Sequence, residues 1–591
     1  MAILPRRQSF NIPSPNMALN LEPNDKPNYQ LIGFGLVMLF FMQRLALFDQ
    51  DEAAYAGFGL MMERTGDYLV PDFLWSEPHR KTPLHFWMIT GCFRLFGANE
   101  FALRIPAALS LIGTWLSIWW LAPPLFGQRV SRNAGYLIMA SLLALVYGGI
   151  SFTDGPLMLC QTVAALAILR LYKEHNWWMV LVLWLATAAG GLVKGPPIFI
   201  LTIGMLGLIW LSGLLSIDKN IRQQPAYANA PNPWWTIVWG GVVLSAMAPM
   251  LFWAYLCWQQ DNGVFISWLW DWYVTKRAGG AVWGQTGPPG YHLLIMGLSF
   301  LPVLAWYPGL VRLGFVSLKQ QLFRTNPVVF LLLVWLIPGW FFYELQLSKL
   351  PSYALGAYGA FAISIATYLD KSPRYTKFGL IFQTVILVVL TIAIIGLSLF
   401  IVNSLIRTNE SSFIEVVLAG VGVVSALFSG RLAFNNLNVL RGLPQANDPD
   451  PNYYVMQIMM MLSMIPVLMH QLDPLRGTTK IVANKIADAR KATDPPILLA
   501  ANFSQPSLPF YLAVKYVPYQ YIEPADQSIK HLDSLASIHK ACTIVCDKDK
   551  YTQLLTVPSN VLVGAQIDSL SGFVTDRRGG SQYWIITTKA K

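Results

Sequence analysis

The sequence predicts a mainly α, polytopic membrane protein with about 13 transmembrane helices and a small C-terminal α/β domain. Three observations predict it. Hydrophobic residues make up 54% of the 591 positions and charged residues only 12%, about half of the roughly 25% charge of a soluble domain. Apolar stretches of roughly 20 residues, the length that crosses a bilayer, recur along the chain. From Leu472 onward polar residues return, and short apolar runs alternate with helix-like stretches.

The elements follow in order. Residues 1–29 are polar and read as a cytoplasmic segment; no short apolar stretch with a cleavage site precedes the first long helix, which reads as retained. Residues 30–471 form the membrane domain, with spans expected near 30–48, 104–126, 133–152, 155–172, 177–193, 196–217, 235–257, 291–313, 327–343, 352–369, 378–402, 413–429 and 452–470. The run 83–97 is apolar but short, and is expected to lie at the interface. Residues 472–591 form the soluble α/β domain, with a helix near 479–491 and apolar runs at 498–503 and 541–546. The 22 Trp and 24 Tyr suit rings anchored at two membrane interfaces.

The net charge of +11 is scattered over short loops, which reads as topology and not as a nucleic-acid surface. With Arg6, Arg7 and Lys26 in the cytoplasm, every inside loop is basic: Arg129 and Arg132; Lys173; Lys219 and Arg222; Arg312, Lys319 and Arg324; Lys371, Arg374 and Lys377; Arg431 and Arg441. That alternation puts the C-terminal domain outside. Cys542 and Cys546 sit close together without a ligand cluster around them, so no metal site is read there.

Charges on the outer face call for another explanation. Asp49, Asp51 and Glu52 open the first outside loop, about 49–103, ahead of a helical run to Arg64 that Thr65-Gly66-Asp67 ends. Asp51 reads either as a helix N-cap or as a general base at the mouth of the membrane domain. Arg80-Lys81 places two cations on the side that basic residues avoid, as interfacial anchors or as a phosphate site. Asp154, Lys194 and Lys349 recur at outer helix ends, Lys276 and Arg277 lie among Trp268, Trp270, Trp272 and Tyr273, and Arg44 lies near the outer end of the first helix. Ionisable groups at membrane depth are expensive and mark function. A phosphate leaving group needs cations, an acceptor hydroxyl needs a base, and a lipid tail needs a groove between helices. Sugar transfer from a lipid phosphate meets all three conditions.

At these residues the sequence resembles a known family. Asp51-Glu52, Gly66-Asp67-Tyr68-Leu69-Val70-Pro71, Lys81-Thr82-Pro83-Leu84 and Leu95-Phe96-Gly97-Ala98-Asn99-Glu100-Phe101-Ala102-Leu103-Arg104-Ile105-Pro106 follow in the order of the first outer loop of the GT-C glycosyltransferases. The nearest groups are the aminoarabinose (lipid A) transferases and the protein O-mannosyltransferases. Asp154, Lys194-Gly195 and Ser348-Lys349-Leu350-Pro351-Ser352-Tyr353 add weaker matches. The resemblance implies an inverting transfer from a polyprenyl-phosphate-linked sugar donor to a lipid, glycan or protein acceptor, within membrane lipid. It implies catalytic carboxylates Asp51, Asp154 and Glu52, donor-phosphate binding by Lys81, Arg277, Lys194 and Arg44, and a cavity lined by Tyr55, Lys349 and Tyr353. A divalent metal ion is compatible with such a site, and its ligands are left unassigned. Arg80 stands where aminoarabinose transferases often carry Glu, Thr82 separates Lys81 from Pro83, and Val274 stands where that group tends to show His. These departures leave sugar and acceptor open. A lipid-linked sugar transporter or flippase is the rival reading; its site is expected at the midplane between internal repeats, whereas here the charges gather at one face.

Overall fold

The computed structural model describes residues 45–48, 50–276, 285–300, 303–304, 306–370 and 377–408, scattered positions between 420 and 441, and, in the C-terminal part, 477–491, 494–500, 505–522, 534, 543–556, 565–573 and 580–588. Helix α1 (Asp51–Thr65) is followed by α2 (Leu84–Phe96), α3 (Glu100–Leu121), α4 (Gln128–Ala140), α5 (Leu142–Gly149), α6 (Asp154–Lys173), α7 (Trp177–Lys194) and α8 (Pro196–Leu214). Then come α9 (Trp235–Ser245), α10 (Ala248–Asp261), α11 (Val264–Trp270), α12 (Tyr291–Ser299), α13 (Tyr307–Lys319), α14 (Pro327–Leu336), α15 (Tyr358–Leu369) and α16 (Lys377–Thr408). Among the described residues, six helical stretches are long and apolar enough to cross a membrane, or seven if the bent pair α4–α5 counts as one span.

The expected spans are therefore more broken than the sequence suggested. The run 133–152 bends by 61° at Ser141. Ser141 is extended, its hydroxyl accepts from the Ala144 N–H at the start of α5, and it meets the Ser299 hydroxyl at 2.7 Å. A hydroxyl that offers the backbone another partner ends one helix and starts the next. The run 291–313 divides into α12 and α13, and 327–343 passes into a π-helical segment at Ile337–Phe341. Apolar length alone does not report such breaks. The spans expected near 30–48, 413–429 and 452–470 lie wholly or largely outside the described residues.

The helices that carry the site are held by local sequence. Gly195 separates α7 from α8 at φ +75° and ψ −123°, a conformation that disfavours any residue with a Cβ; Pro196 and Pro197 then open α8. At the start of α6 a Cβ on Gly155 would come within 2.4 Å of the Tyr147 carbonyl, so only glycine lets α5 and α6 approach so closely. α6 and α7 are joined by a short turn, which brings Asp154 and Lys194 to the same end of the bundle.

The C-terminal part contains a five-stranded sheet of order β2-β1-β3-β5-β4. β1 (Ile497–Ala500) runs parallel to β2 (Tyr519–Tyr521) and to β3 (Thr543–Asp547), with Leu498 opposite Ile544. β4 (Gln566–Phe573) and β5 (Gly580–Thr587) form an antiparallel pair that joins β3 in antiparallel register. Helices α17 (Thr478–Ala489), α18 (Ser507–Val514) and α19 (Lys548–Thr556) accompany it. The apolar runs read near 498 and 541 become β1 and β3 because their side chains are buried, Leu498, Ile544 and Cys546 among them. This unit shares a continuous core with α1 and α2, in which Phe58, Phe86 and Phe93 join Leu508, Phe510 and Tyr511.

Candidate active site

Asp51 and Glu52 occupy the first turn of α1, where the unpaired N–H groups and the helix dipole favour negative charge. The N-cap position belongs to Gln50, which makes no side-chain cap, so Asp51 is not the cap that its place in the sequence allowed. The two acids point to different surroundings, because successive residues on a helix are turned by about 100°.

Glu52 is fully buried and forms a two-pronged ion pair with the equally buried Arg104: Nε to Oε1 at 2.7 Å and Nη2 to Oε2 at 2.8 Å. It also accepts from the backbone N–H of Phe48 and of Ser151, both at 2.9 Å. Arg104 in turn donates to the carbonyls of Leu45 and Ala46. Burial alone would raise the Glu52 carboxyl, and Arg104 overcomes it, holding the group below the usual carboxylate range. With both oxygens engaged and no exposure, Glu52 has no surface to offer a substrate. The expectation of a catalytic role for it gives way to a structural one.

Asp51 behaves differently. Its side chain keeps 48% of its accessible surface, although its neighbours Ala54, Tyr55 and Glu52 are buried, so it lines a recess. Oδ1 lies 2.9 Å from His79 Nδ1, accepts from the Tyr55 hydroxyl at 3.1 Å and lies 3.8 Å from Lys81 Nζ. Oδ2 has no hydrogen-bond partner among the described residues. Enclosure by protein alone would raise this carboxyl; Lys81, with help from His79 and Tyr55, drives it well below the usual range. Lys81 donates to the Tyr55 hydroxyl and sits 4.7 Å from the centroid of that ring. The buried Tyr55 hydroxyl is itself raised, by its burial and by Asp51, and stays protonated.

The second pair stands beside the first. Asp154, at the start of α6, meets Lys194 Nζ at 2.7 Å, with Ser352 beside it, while the charge of Lys81 also acts on it. Tyr147 stands beside the same Ser352 and feels both Asp154 and Asp51. The Tyr353 ring lies against Tyr343 at 5.8 Å, and Tyr343 in turn feels Asp154. Asp51, Tyr55, Lys81, Asp154 and Lys194 thus form one electrostatic set, with the segment around Ser352 and Tyr353 closing on it.

Lys349 is drawn elsewhere. Its ammonium is buried, donating to Glu344 Oε2 at 3.3 Å and to the Pro288 carbonyl at 3.1 Å. Glu344 also accepts from the N–H groups of His292 and Leu293, and His292 Nε2 meets the Leu350 carbonyl at 3.0 Å. Lys349 therefore braces the Ser348–Tyr353 segment from behind instead of lining the recess as expected. Arg44 and Arg277 lie outside the described residues.

Sequence reasoning passed over His79, Glu344 and Tyr147, and gave no role to Arg104 and Ser352 within the motifs that contain them. Glu344 carried a usable signal, a carboxylate within an apolar span; His79 stood two residues from Lys81. Arg80 is paired to Asp72 and Glu77 at the surface, and the buried Thr82 hydroxyl has no partner among the described residues. His85 is fully buried with Nε2 3.2 Å from the Ser151 hydroxyl, and burial together with Lys81 pushes it down to about 3, keeping it neutral. Among the described residues no group of three or more His, Cys, Asp or Glu is arranged to hold a metal ion.

Known proteins resemble this chain in sequence and in fold. The profile of the family described as Dolichyl-phosphate-mannose-protein mannosyltransferase matches residues 80–253, which includes Lys81, Asp154 and Lys194. The undecaprenyl phosphate-alpha-4-amino-4-deoxy-L-arabinose arabinosyl transferase of Yersinia pestis (strain Pestoides F) is 24% identical over 341 residues, 57% of each chain. The protein of the same name from Edwardsiella ictaluri (strain 93-146) is 26% identical over 347 residues, 57% of this chain and 59% of that one. The chain thus spans a little over half the length of these curated relatives. The crystal structure of ArnT from Cupriavidus metallidurans in the apo state superposes with a TM-score of 0.64 at 18% identity, over 95% of this chain and 97% of that one. This chain shares the ArnT fold. The same ArnT bound to undecaprenyl phosphate gives a TM-score of 0.63 over 94% and 97% of the two chains. The resemblance read from the outer-loop motifs therefore holds: the chain is similar to the aminoarabinose transferases in sequence and to ArnT in fold.

Proposed function

We propose that the chain is a polytopic membrane glycosyltransferase. It moves a sugar from a polyprenyl-phosphate carrier to a lipid, glycan or protein acceptor on the extracytoplasmic face, with inversion. The observation that carries this reading is the recess at Asp51. A carboxylate with one oxygen held by two hydrogen bonds and the other open stands 3.8 Å from a lysine ammonium. In a displacement at the anomeric carbon, the attacking hydroxyl needs an acceptor for its proton and the departing phosphate needs a cation. Asp51, as the catalytic carboxylate, polarises the attacking hydroxyl, and Lys81 meets the phosphate. Asp154 and Lys194 add a second carboxylate and a second cation, with Tyr55 and Tyr353 at the cavity wall. Arg44 and Arg277 remain candidates for the phosphate.

The bilayer supplies the polyprenyl tail, which suits a site at the ends of apolar helices. The topology proposed has residues 1–29 in the cytoplasm, a membrane domain over 30–471 with its first outer loop at 49–103, and the α/β domain of 472–591 outside. Similarity to transferases that use undecaprenyl-phosphate aminoarabinose supports the donor class.

Asp51→Asn tests the reading in proteoliposomes supplied with synthetic undecaprenyl phosphates carrying aminoarabinose or mannose. The variant is expected to fold and insert but to lose sugar transfer by about 10²-fold or more. Full transfer by Asp51→Asn would remove the assignment, and carrier flux across the vesicle wall without transfer would make the protein a transporter.

A further inference from the structure

We propose that His79 is a catalytic residue of this site: its Nε2 takes the proton of the acceptor while Asp51 holds the ring. The inference rests on the transferase reading above and names the group that does the proton chemistry within it.

The geometry sets the tautomer. A carboxylate only accepts hydrogen bonds, so the 2.9 Å contact between His79 Nδ1 and Asp51 Oδ1 requires the hydrogen on Nδ1. Nε2 then carries the lone pair of the neutral ring. It has no partner among the described residues, and it is not one of the sealed buried atoms. The ring itself is nearly enclosed, its side chain 7% exposed, so its orientation is fixed while one nitrogen stays open. A base oriented by a carboxylate, with the far nitrogen open, is the arrangement that activates a hydroxyl in acyl transfer; here the carboxylate is half-exposed and the ring is the enclosed partner.

Asp51 alone is poorly suited to the task. Lys81, Tyr55 and His79 all act on Oδ1 and hold the carboxyl well below the usual range, which makes it a weak base. Brønsted behaviour favours a base that binds protons more readily. Among the described residues, Asp51 meets the His79 ring, Tyr55 from α1 and Lys81 after the turn share its Oδ1, and Glu77 and Arg80 stand on the turn itself, where Arg80 is paired with Glu77 and Asp72. From the π-helical segment Asp271–Thr275, the Tyr273 hydroxyl donates to the Pro78 carbonyl at 3.4 Å. Asp51 offsets the imidazolium that forms, and the charge of Lys81 meets the arriving phosphate.

The step balances. The acceptor oxygen bonds to the anomeric carbon, and the bond from that carbon to the phosphate oxygen breaks with its electron pair going to the phosphate. The acceptor proton passes to Nε2, and polyprenyl phosphate leaves against Lys81. The imidazolium then returns its proton to solvent through the recess.

The test measures release of undecaprenyl phosphate from synthetic undecaprenyl phosphates carrying aminoarabinose or mannose, with the full chain in vesicles of native membrane lipid. His79→Gln is expected to lower kcat by about 10²-fold with little change in donor KM, and to remove the acid limb of the pH–rate profile. His79→Gly is expected to regain at least about tenfold of its lost rate with added imidazole. A wild-type chain that transfers nothing sinks the transferase reading itself. An active wild type with an inactive Asp51→Asn, but a His79→Gln that retains its rate and its acid limb, overturns the role of His79 alone. A slow His79→Gln that keeps the acid limb, with a His79→Gly that imidazole does not rescue, also overturns it, since the ring would then only support its surroundings.

Discussion

Replacing Glu52 by Gln separates structure from chemistry at two adjacent acids. The substitution leaves the Arg104 guanidinium buried beside the carbonyls of Leu45 and Ala46, and removes the charge that both prongs engage. Neither side chain has any exposure, so water does not screen the loss. Removing one partner of a buried pair costs about 3–5 kcal/mol, most of it the uncompensated charge. The amide also offers one acceptor oxygen where the carboxylate served two backbone N–H groups, those of Phe48 and Ser151, and an orphaned donor costs about 1–3 kcal/mol, a loss that overlaps with the first. Glu52→Gln is therefore expected to destabilise the chain by about 3–5 kcal/mol, and Arg104→Met by a similar amount.

The double variant decides the interpretation. Once both charges are gone neither is left unpaired, so Glu52→Gln/Arg104→Met is expected to cost less than the sum of the singles by about 2–3 kcal/mol. Reversible unfolding in mixed detergent micelles measures this. Sugar transfer provides the second readout: if Glu52 only positions α1, the double variant regains part of the activity that Glu52→Gln loses. A single variant costing under about 1 kcal/mol, or strictly additive singles, would refute the ion-pair argument. A double variant that is stable yet as inactive as Asp51→Asn would return Glu52 to the chemistry.

Two further outcomes are expected. Lys81→Met should raise the donor KM by about 10- to 100-fold, the worth of a charge-assisted hydrogen bond, and leave the acceptor KM unchanged; initial rates at varied donor check it, and an unchanged donor KM would refute a phosphate role. Tyr511→Phe should cost about 1–2 kcal/mol, because the hydroxyl accepts from the Leu47 N–H at 2.9 Å and donates to Glu100 at 3.0 Å; thermal unfolding reads this, and no shift would mean that the C-terminal unit does not support α1.

Class and site were legible to different depths. Composition suffices for a membrane bundle because every apolar residue adds to the same average. Charges on the face expected from the sequence to lie outside were enough to single out Asp51, Lys81, Asp154 and Lys194, which the structure brings together. Pairing was not legible. Glu52 stands next to Asp51 in sequence, yet one helical step turns it toward Arg104, 52 positions away, and nothing local records that. Lys349 looked like its fellow lysines until Glu344 and the Pro288 carbonyl claimed it. His79 escaped because a lone histidine in a loop carries no periodic signal, and its meaning comes from the 2.9 Å contact alone. The breaks at Ser141 and Ile337 escaped because hydropathy averages over them.

The position of α1 explains why so much of the chain is spent around a few polar atoms. This helix carries Asp51 but is not among the stretches long and apolar enough to be held by the bilayer. Its place must come from contacts. At its start, Arg104 ties Glu52 to the carbonyls of 45 and 46, while Tyr511 ties the Leu47 N–H to Glu100, which also meets Lys480 at 2.5 Å. At its end, Arg64 donates to the Ala513 carbonyl and stacks over Tyr516. Between these ends, one face packs on α2 and on the apolar side of α18. Membrane helix and C-terminal unit thus grip the same short helix from two sides. Reacting groups must be held to within about 0.5 Å to keep their rate, so changes in the C-terminal unit that loosen α1 should lower kcat before they change donor affinity, although no residue of that unit hydrogen-bonds Asp51, His79 or Lys81 among the described contacts.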